Sequence, residues 1–381
     1  MTAAPGARFD PDRLDDQAYL AEADPSGMLR TVASSAAQVR TAYRSAVEAG
    51  VAALGRELRP RAIVVAGMGA SGVAGEILDA VCGNGVPLPI VTVRGYRLPG
   101  WIGAADLMIA VSRSGTTEET IAVATEAARR GCVVLGVGRP DTPLAALVTQ
   151  AGGRYVPVSG AAGQTRVTMW GLAIPLIVAA AGMGLVEAGE DVVEAVATVL
   201  EDIAHRCRPS SESFINPGKT LAMELAGSIP MIWGVSPVAA AAAYRLSCQL
   251  NENAKYPAVW GQIPEVTHNQ LAVLDGPLAG RDLFADPFSD EPGGGARLRL
   301  VLLRDVEEHP QVTRRRVAAV RLAEDRDVPV SEIVADGAHP LERLATLVGL
   351  GDYATVYLAL GYGIDPAAVP AVTELAARIS P

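Results

Sequence analysis

The chain has 381 residues and 39.4 kDa, half of them hydrophobic and 19% charged, enough for two or three domains with sizeable cores and too apolar for a disordered chain. Its 32 basic residues stand against 42 acidic ones, and the net charge of −10 argues against nucleic acid as the partner while leaving room for a local basic pocket that holds a small anion. Four cysteines (Cys82, Cys132, Cys207, Cys248) form no CxxC or Cys/His pattern, so they read as small hydrophobes of a reducing compartment, and neither a metal nor a cofactor is expected.

The opening MTAAPGARFDPDRLDD is acidic and lacks an apolar core, so it does not read as a secretory signal. Residues 10–23 and 35–58 show helical spacing of apolar positions, and the segment 1–60 is expected to pack on the domain that follows. Short apolar runs then alternate with helical stretches. The runs are 62–66 (AIVVA), 89–93 (PIVTV), 107–111 (LMIAV), 132–137 (CVVLGV) and 154–158. This alternation predicts a parallel sheet covered by helices on both faces. Residues 164–186 are apolar nearly all round, as in a helix buried between layers; the run 172–186 is too short to span a bilayer and carries Pro175, Gly182 and Gly184. No membrane partner is expected, and the location is expected to be cytoplasmic.

An amphipathic helix over 191–205 leads to a linker at 209–217, and the alternation resumes. Strands are expected at 230–235, 298–304 and 330–334, and helices at 219–225, 238–253, 312–325, 341–362 and 369–379. Residues 276–297, rich in Gly, Pro and Asp, read as an insertion. The expected domains are therefore 61–208 and 209–381, two α/β units of one kind, each a three-layer, doubly wound parallel sheet.

Two crossovers of the first unit carry chemistry. After the first strand comes Gly67-Met68-Gly69-Ala70-Ser71-Gly72-Val73-Ala74-Gly75, a loop whose backbone N–H groups suit an anion. The same glycines fit a dinucleotide fingerprint, but the second strand is followed by Arg94 instead of the ribose-binding carboxylate, which leaves an NADP site as the weaker reading. After the third run comes Ser112-Arg113-Ser114-Gly115-Thr116-Thr117-Glu118-Glu119-Thr120, with five hydroxyls in nine residues at a helix start. A capping box needs only one of them.

The GMGxSG and SxSGxTEE segments resemble the sugar isomerase (SIS) domain, which holds phosphosugars. Downstream, Asn251-Glu252-Asn253-Ala254-Lys255-Tyr256-Pro257-Ala258, Pro264-Glu265-Val266-Thr267-His268-Asn269, Asn216-Pro217-Gly218-Lys219 and the stretch 351–360 (GDYATVYLAL) are similar to the dual-specificity phosphoglucose/phosphomannose isomerases. The similarity spans about residues 60–370. It implies two SIS domains, a homodimer with a site shared between subunits, and interconversion of fructose 6-phosphate with glucose 6-phosphate or mannose 6-phosphate through an enediolate. It assigns Glu252 as the base, His268 as the ring-opening acid and Arg166 as the group that stabilises the enediolate. Gly69, Ser71, Ser112, Ser114, Gly115 and Thr117 are then expected around the phosphate.

From the residues alone, Glu252 also fits an ion pair with Lys255, and His268 fits a packing histidine. His205, His309 and His339 read as surface residues. The chain departs from the family pattern at Ala70, Arg113, Thr116 and Gln270, and no lysine follows Lys255, although the family carries one in its last helix. That departure keeps a second reading open: a phosphosugar-binding protein, a sensor or regulator, with little or no turnover.

Overall fold

Aspartates set the first helices. In the computed structural model, which describes residues 8–158, 168–279 and 297–379, a 3-10 turn at Pro11–Leu14 is followed by α1 (Gln17–Ala23) and α2 (Met28–Ala33). Asp16 accepts from the Tyr19 N–H, and Asp24 accepts from Met28 and Leu29 at 2.8 and 2.9 Å. Such carboxylate caps satisfy the orphan donors of a helix start, and they divide the single helix expected over 10–23.

The chain divides into two compact units. One is Ser34–Glu201 with Gly337–Ala345; the other is formed by the described residues of Met1–Ala33, Asp202–Asp336 and Thr346–Pro381. The first contains α3 (Ser35–Glu48), α4 (Leu54–Glu57), β1 (Ile63–Ala66), α5 (Ala70–Cys82), β2 (Ile90–Val93), β3 (Leu107–Ser112), α6 (Glu118–Arg129), β4 (Val133–Gly138), α7 (Pro143–Gln150), β5 (Arg154–Pro157), α8 (Met169–Gly182) and most of α9 (Glu190–Arg206). Its strands pair in parallel in the order β2-β1-β3-β4-β5.

Alternation sorts this sheet into two faces. Val64, Ala66, Met108, Ala110 and Val134 cluster with Val123, Ala124 and Ala127 of α6 and Leu144 and Val148 of α7. On the opposite face, α5 lies so close that a Cβ on Gly75 would stand 2.4 Å from Thr92 Oγ1 and 3.1 Å from Val65 Cβ. We therefore expect Gly75→Ala to cost about 1–3 kcal/mol by overpacking, read as a lower thermal midpoint. An unchanged midpoint would contradict this packing. α8, buried from Met169 to Ala180, packs on α3 and α5, as the all-round apolar pattern predicts.

The second unit contains α10 (Pro217–Leu225), β6 (Ser228–Gly234), α11 (Pro237–Gln249), a π turn at Leu250–Ala254, β7 (Val259–Gln262), β8 (Arg297–Arg304), α12 (Pro310–Glu324), β9 (Val330–Val334), most of α13 (Pro340–Gly361) and α14 (Pro370–Ile379). The parallel order is β7-β6-β8-β9. β7 was not expected: it is an edge strand with Val259 and Trp260 46% and 39% exposed, so it lacks the continuous apolar run of a central strand. α13 is long and apolar enough to cross a membrane, but 89% of its apolar window is buried inside the protein, as in a core helix.

The expectation that residues 1–60 pack on the first domain is corrected for residues 8–33, which group with the second unit. The cause is polar anchoring. The fully buried Lys219 donates from Nζ to Asp15 Oδ1 (3.1 Å), Pro209 O (2.9 Å) and Ser211 O (2.7 Å). Asp10 N and Tyr19 OH donate to the carbonyls of Gly361 and Leu360. Arg166 and residues 280–296, the bulk of the expected insertion, lie outside the described residues.

Candidate active site

In the first unit the two crossovers stand side by side, because β1 and β3 are neighbours. The Arg113 N–H donates to Ser71 Oγ at 3.4 Å and ties one loop to the other. Gly69 precedes the first turn of α5, and Arg94 crosses over Gly72, donating to its carbonyl and to Glu76 Oε1 at 2.7 Å.

The hydroxyls of the second crossover gather at one point. Ser112 Oγ lies 2.9 Å from Thr117 Oγ1 and 3.4 Å from Ser114 Oγ, and Ser114 lies 3.5 Å from Thr117. Thr117 is the N-cap of α6, yet its side chain makes no capping bond. The hydroxyl turns towards the serines instead, so capping alone does not account for the run. Three hydroxyls at the positive end of a helix make a donor set for a phosphate. The Gly115 N–H, expected to face the anion, is engaged by Ser112 O and Oγ at 3.1 and 3.0 Å and closes the loop. Arg113 is buried beneath the cluster's strand end; burial, and then the charge of Arg139, push its guanidinium pKa below the ordinary value.

The second unit carries Glu252 and His268. α11 widens at its end into the π turn Leu250–Ala254, which closes with Lys255 in the left-handed region at φ 55°. Such widened turns occur often at functional sites. Glu252 is half-buried on this turn. The Lys255 ammonium donates to the carbonyls of Asn253 (3.0 Å), Asp365 (2.9 Å) and Pro366 (3.5 Å), which fastens the turn to the stretch before α14. Asn251 Nδ2 donates to Ser247 O at 2.5 Å.

His268 is exposed and ends a 3-10 turn at Glu265–Thr267 that follows a cis Ile263–Pro264 peptide. Its imidazole makes no hydrogen bond among the described residues. Gln270, in place of the family's glutamate, accepts from Trp233 Nε1 (2.8 Å) and donates to Trp260 O (2.9 Å), so it braces the edge of the sheet.

Glu252 and His268 are not brought together within one chain. Tyr256, four residues after Glu252, bonds to Leu225 before β6 begins, whereas Ile263 bonds to Gly234 where β6 ends. The two residues therefore flank β7 from opposite ends. Four strand residues span roughly 13 Å.

The remaining histidines divide. His205 and His309 are exposed, as expected, and His309 caps α12. His339 is half-buried: burial pushes its pKa down, and its Nδ1 accepts from the Leu341 N–H at the start of α13. The last helix, α14, offers Arg378 bonded to Glu374 and no lysine. All four cysteines are free thiols; Cys132 and Cys207 are buried. Among the described residues no three His, Cys, Asp or Glu side chains gather as a metal site.

Residues 214–379 match the family described as the bacterial phosphoglucose isomerase C-terminal SIS domain. The chain is 27% identical over 318 residues to the bifunctional phosphoglucose/phosphomannose isomerase of Caldicellulosiruptor bescii, covering 84% of this chain and 89% of that one. It is equally similar, 27% over 324 residues, to the enzyme of the same name from Aquifex aeolicus, covering 84% and 92%. Its fold matches a hypothetical protein from Thermus thermophilus with a TM-score of 0.66 at 14% identity, over 97% of this chain and 98% of that one. Two parallel sheets flanked by helices define the class, an α/β fold that this chain shares with that protein. Within that class, the chain is similar over most of its length to the bifunctional phosphoglucose/phosphomannose isomerases, and its residues 214–379 match the C-terminal SIS domain family.

Proposed function

We propose that this chain interconverts fructose 6-phosphate with glucose 6-phosphate and mannose 6-phosphate. The observation that carries this reading is Glu252, half-buried on a widened turn inside the residues that match the phosphoglucose isomerase domain. Ser71, Ser112, Ser114 and Thr117 hold the phosphate. Glu252 removes the proton from C2 of the aldose and returns it to C1, or the reverse, as a positioned carboxylate can. His268 donates to the ring oxygen when the ring opens, and Arg166 balances the enediolate oxygen.

The placement of Glu252 and His268 at opposite ends of β7 supports a site completed by a second copy of the chain, and so a homodimer. We place the protein in the cytoplasm, because its four free thiols fit a reducing compartment.

Incubation with fructose 6-phosphate in heavy water tests the proposal. Glucose 6-phosphate and mannose 6-phosphate are expected by NMR, with deuterium at C1 or C2. Saturable sugar-phosphate binding without product or deuterium would favour the sensor reading instead.

A further inference from the structure

Behind the turn that carries Glu252 runs a buried polar chain with no role in the chemistry described so far. Asp352 and Thr355 sit in the apolar stretch of α13, 4% and 0% exposed. Arg245 of α11, 2% exposed, grips the Asp352 carboxylate with two bonds, Nε to Oδ1 at 3.2 Å and Nη2 to Oδ2 at 3.1 Å. Gln249, the last residue of α11, donates from Nε2 to the same Oδ1 at 3.2 Å. Thr355 Oγ1 donates to the Asp352 carbonyl at 2.9 Å and accepts from Asn253 Nδ2 at 3.0 Å. Asn253 is the residue next to Glu252 and is fully buried inside the π turn.

We infer that Thr355, Asn253, Asp352 and Arg245 are positioning residues: they hold the π turn in the one geometry that aims the Glu252 carboxylate at C1 and C2 of the sugar. The inference rests on Glu252 being the base. Two physical arguments carry it. The contact of α11 with α13 already has apolar packing, with Leu246 against Gly351, and apolar replacements of buried ion pairs are often as stable as the pair or more so. Stability alone therefore does not require charges here. Gln249 Oε1 and Asn253 Oδ1 have no partner among the described residues, but the run of buried bonds from Arg245 through Asp352 and Thr355 to Asn253 is continuous. Directional bonds of this kind favour one local geometry, which is what a base must have when a 1 Å displacement costs about 100-fold in rate. Thr355 is the key link, because a hydroxyl both donates and accepts through one atom.

The test compares T355V, which keeps the shape and loses the hydroxyl, with T355S, which keeps the hydroxyl. T355V is expected to lower kcat for fructose 6-phosphate by about 10- to 100-fold while KM stays within about twofold. T355S is expected to recover most of that loss. Amide hydrogen exchange over residues 250–256 is expected to quicken in T355V and to return to the wild-type rate in T355S. Wild-type kcat in T355V, or a loss that T355S does not repair, overturns the inference. If the wild-type protein itself shows no turnover, the reading of Glu252 as base fails. The exchange measurement then stands alone: unchanged exchange in T355V overturns the hold on the turn.

Discussion

Glu252→Gln is expected to lower kcat for fructose 6-phosphate by about 10²- to 10⁴-fold, the usual worth of a positioned general base, while the Kd for the sugar phosphate changes by less than about threefold. The amide has the shape of the carboxylate but does not accept a carbon-bound proton at neutral pH. The turn around it does not depend on residue 252 for its anchors: Asn251 is tied to Ser247, Asn253 to Thr355, and Lys255 to three carbonyls. Initial rates and calorimetric titration with fructose 6-phosphate separate the two effects. Turnover retained in this variant would remove Glu252 as the base. Binding lost in step with turnover would show that the carboxylate holds the sugar and does no more.

Most of the first unit was legible because its central strands β1, β3 and β4 are buried on both faces. Continuous apolar runs such as 62–66 and 107–111 have no other stable home than the middle of a parallel sheet, and the structure places β1 and β3 there. The second unit was less so. β7 lies at the sheet edge, where Val259, Trp260 and Gly261 meet solvent on one side, and its sequence carries little of the signal that a buried strand must carry.

The site shows the same division. The hydroxyl cluster was visible because its members are close in sequence, and the structure adds that Thr117 turns inward in place of capping. The polar chain behind Glu252 was not, since Arg245 and Asp352 are 107 residues apart. A carboxylate within the apolar run of α13 was the one local sign that a buried cation had to meet it, because an unpaired buried charge is too costly to keep. Lys219 gave a comparable sign. A lysine in the first turn of an apolar helix needs partners, and it finds them in Asp15 and two carbonyls, which explains why residues 8–33 belong with the second unit.

Gly115→Ala is expected to weaken sugar-phosphate binding by roughly 30- to 1,000-fold, the loss of about 2–4 kcal/mol that follows when two hydrogen bonds to a charged group are disturbed. Gly115 has φ 71°, and an alanine held in the left-handed region costs about 1–2 kcal/mol before any contact is considered. The new Cβ would stand 2.1 Å from Thr142 Oγ1 and 2.5 Å from Thr142 Cβ. Thr142 has no easy retreat. Its hydroxyl donates to Arg139 O at 3.0 Å and caps α7 through the Ala145 N–H, and Leu144 N donates to Gly115 O at 3.1 Å. The 112–117 loop must move instead, which breaks the contact of Ser112 with the Gly115 N–H and scatters Ser114 and Thr117. Fructose without its phosphate serves as the control, because its weak binding does not use these hydroxyls and is expected to stay unchanged. Calorimetry on the two sugars decides the matter. A Gly115→Ala protein that keeps the wild-type Kd for fructose 6-phosphate would place the phosphate elsewhere than on this crossover.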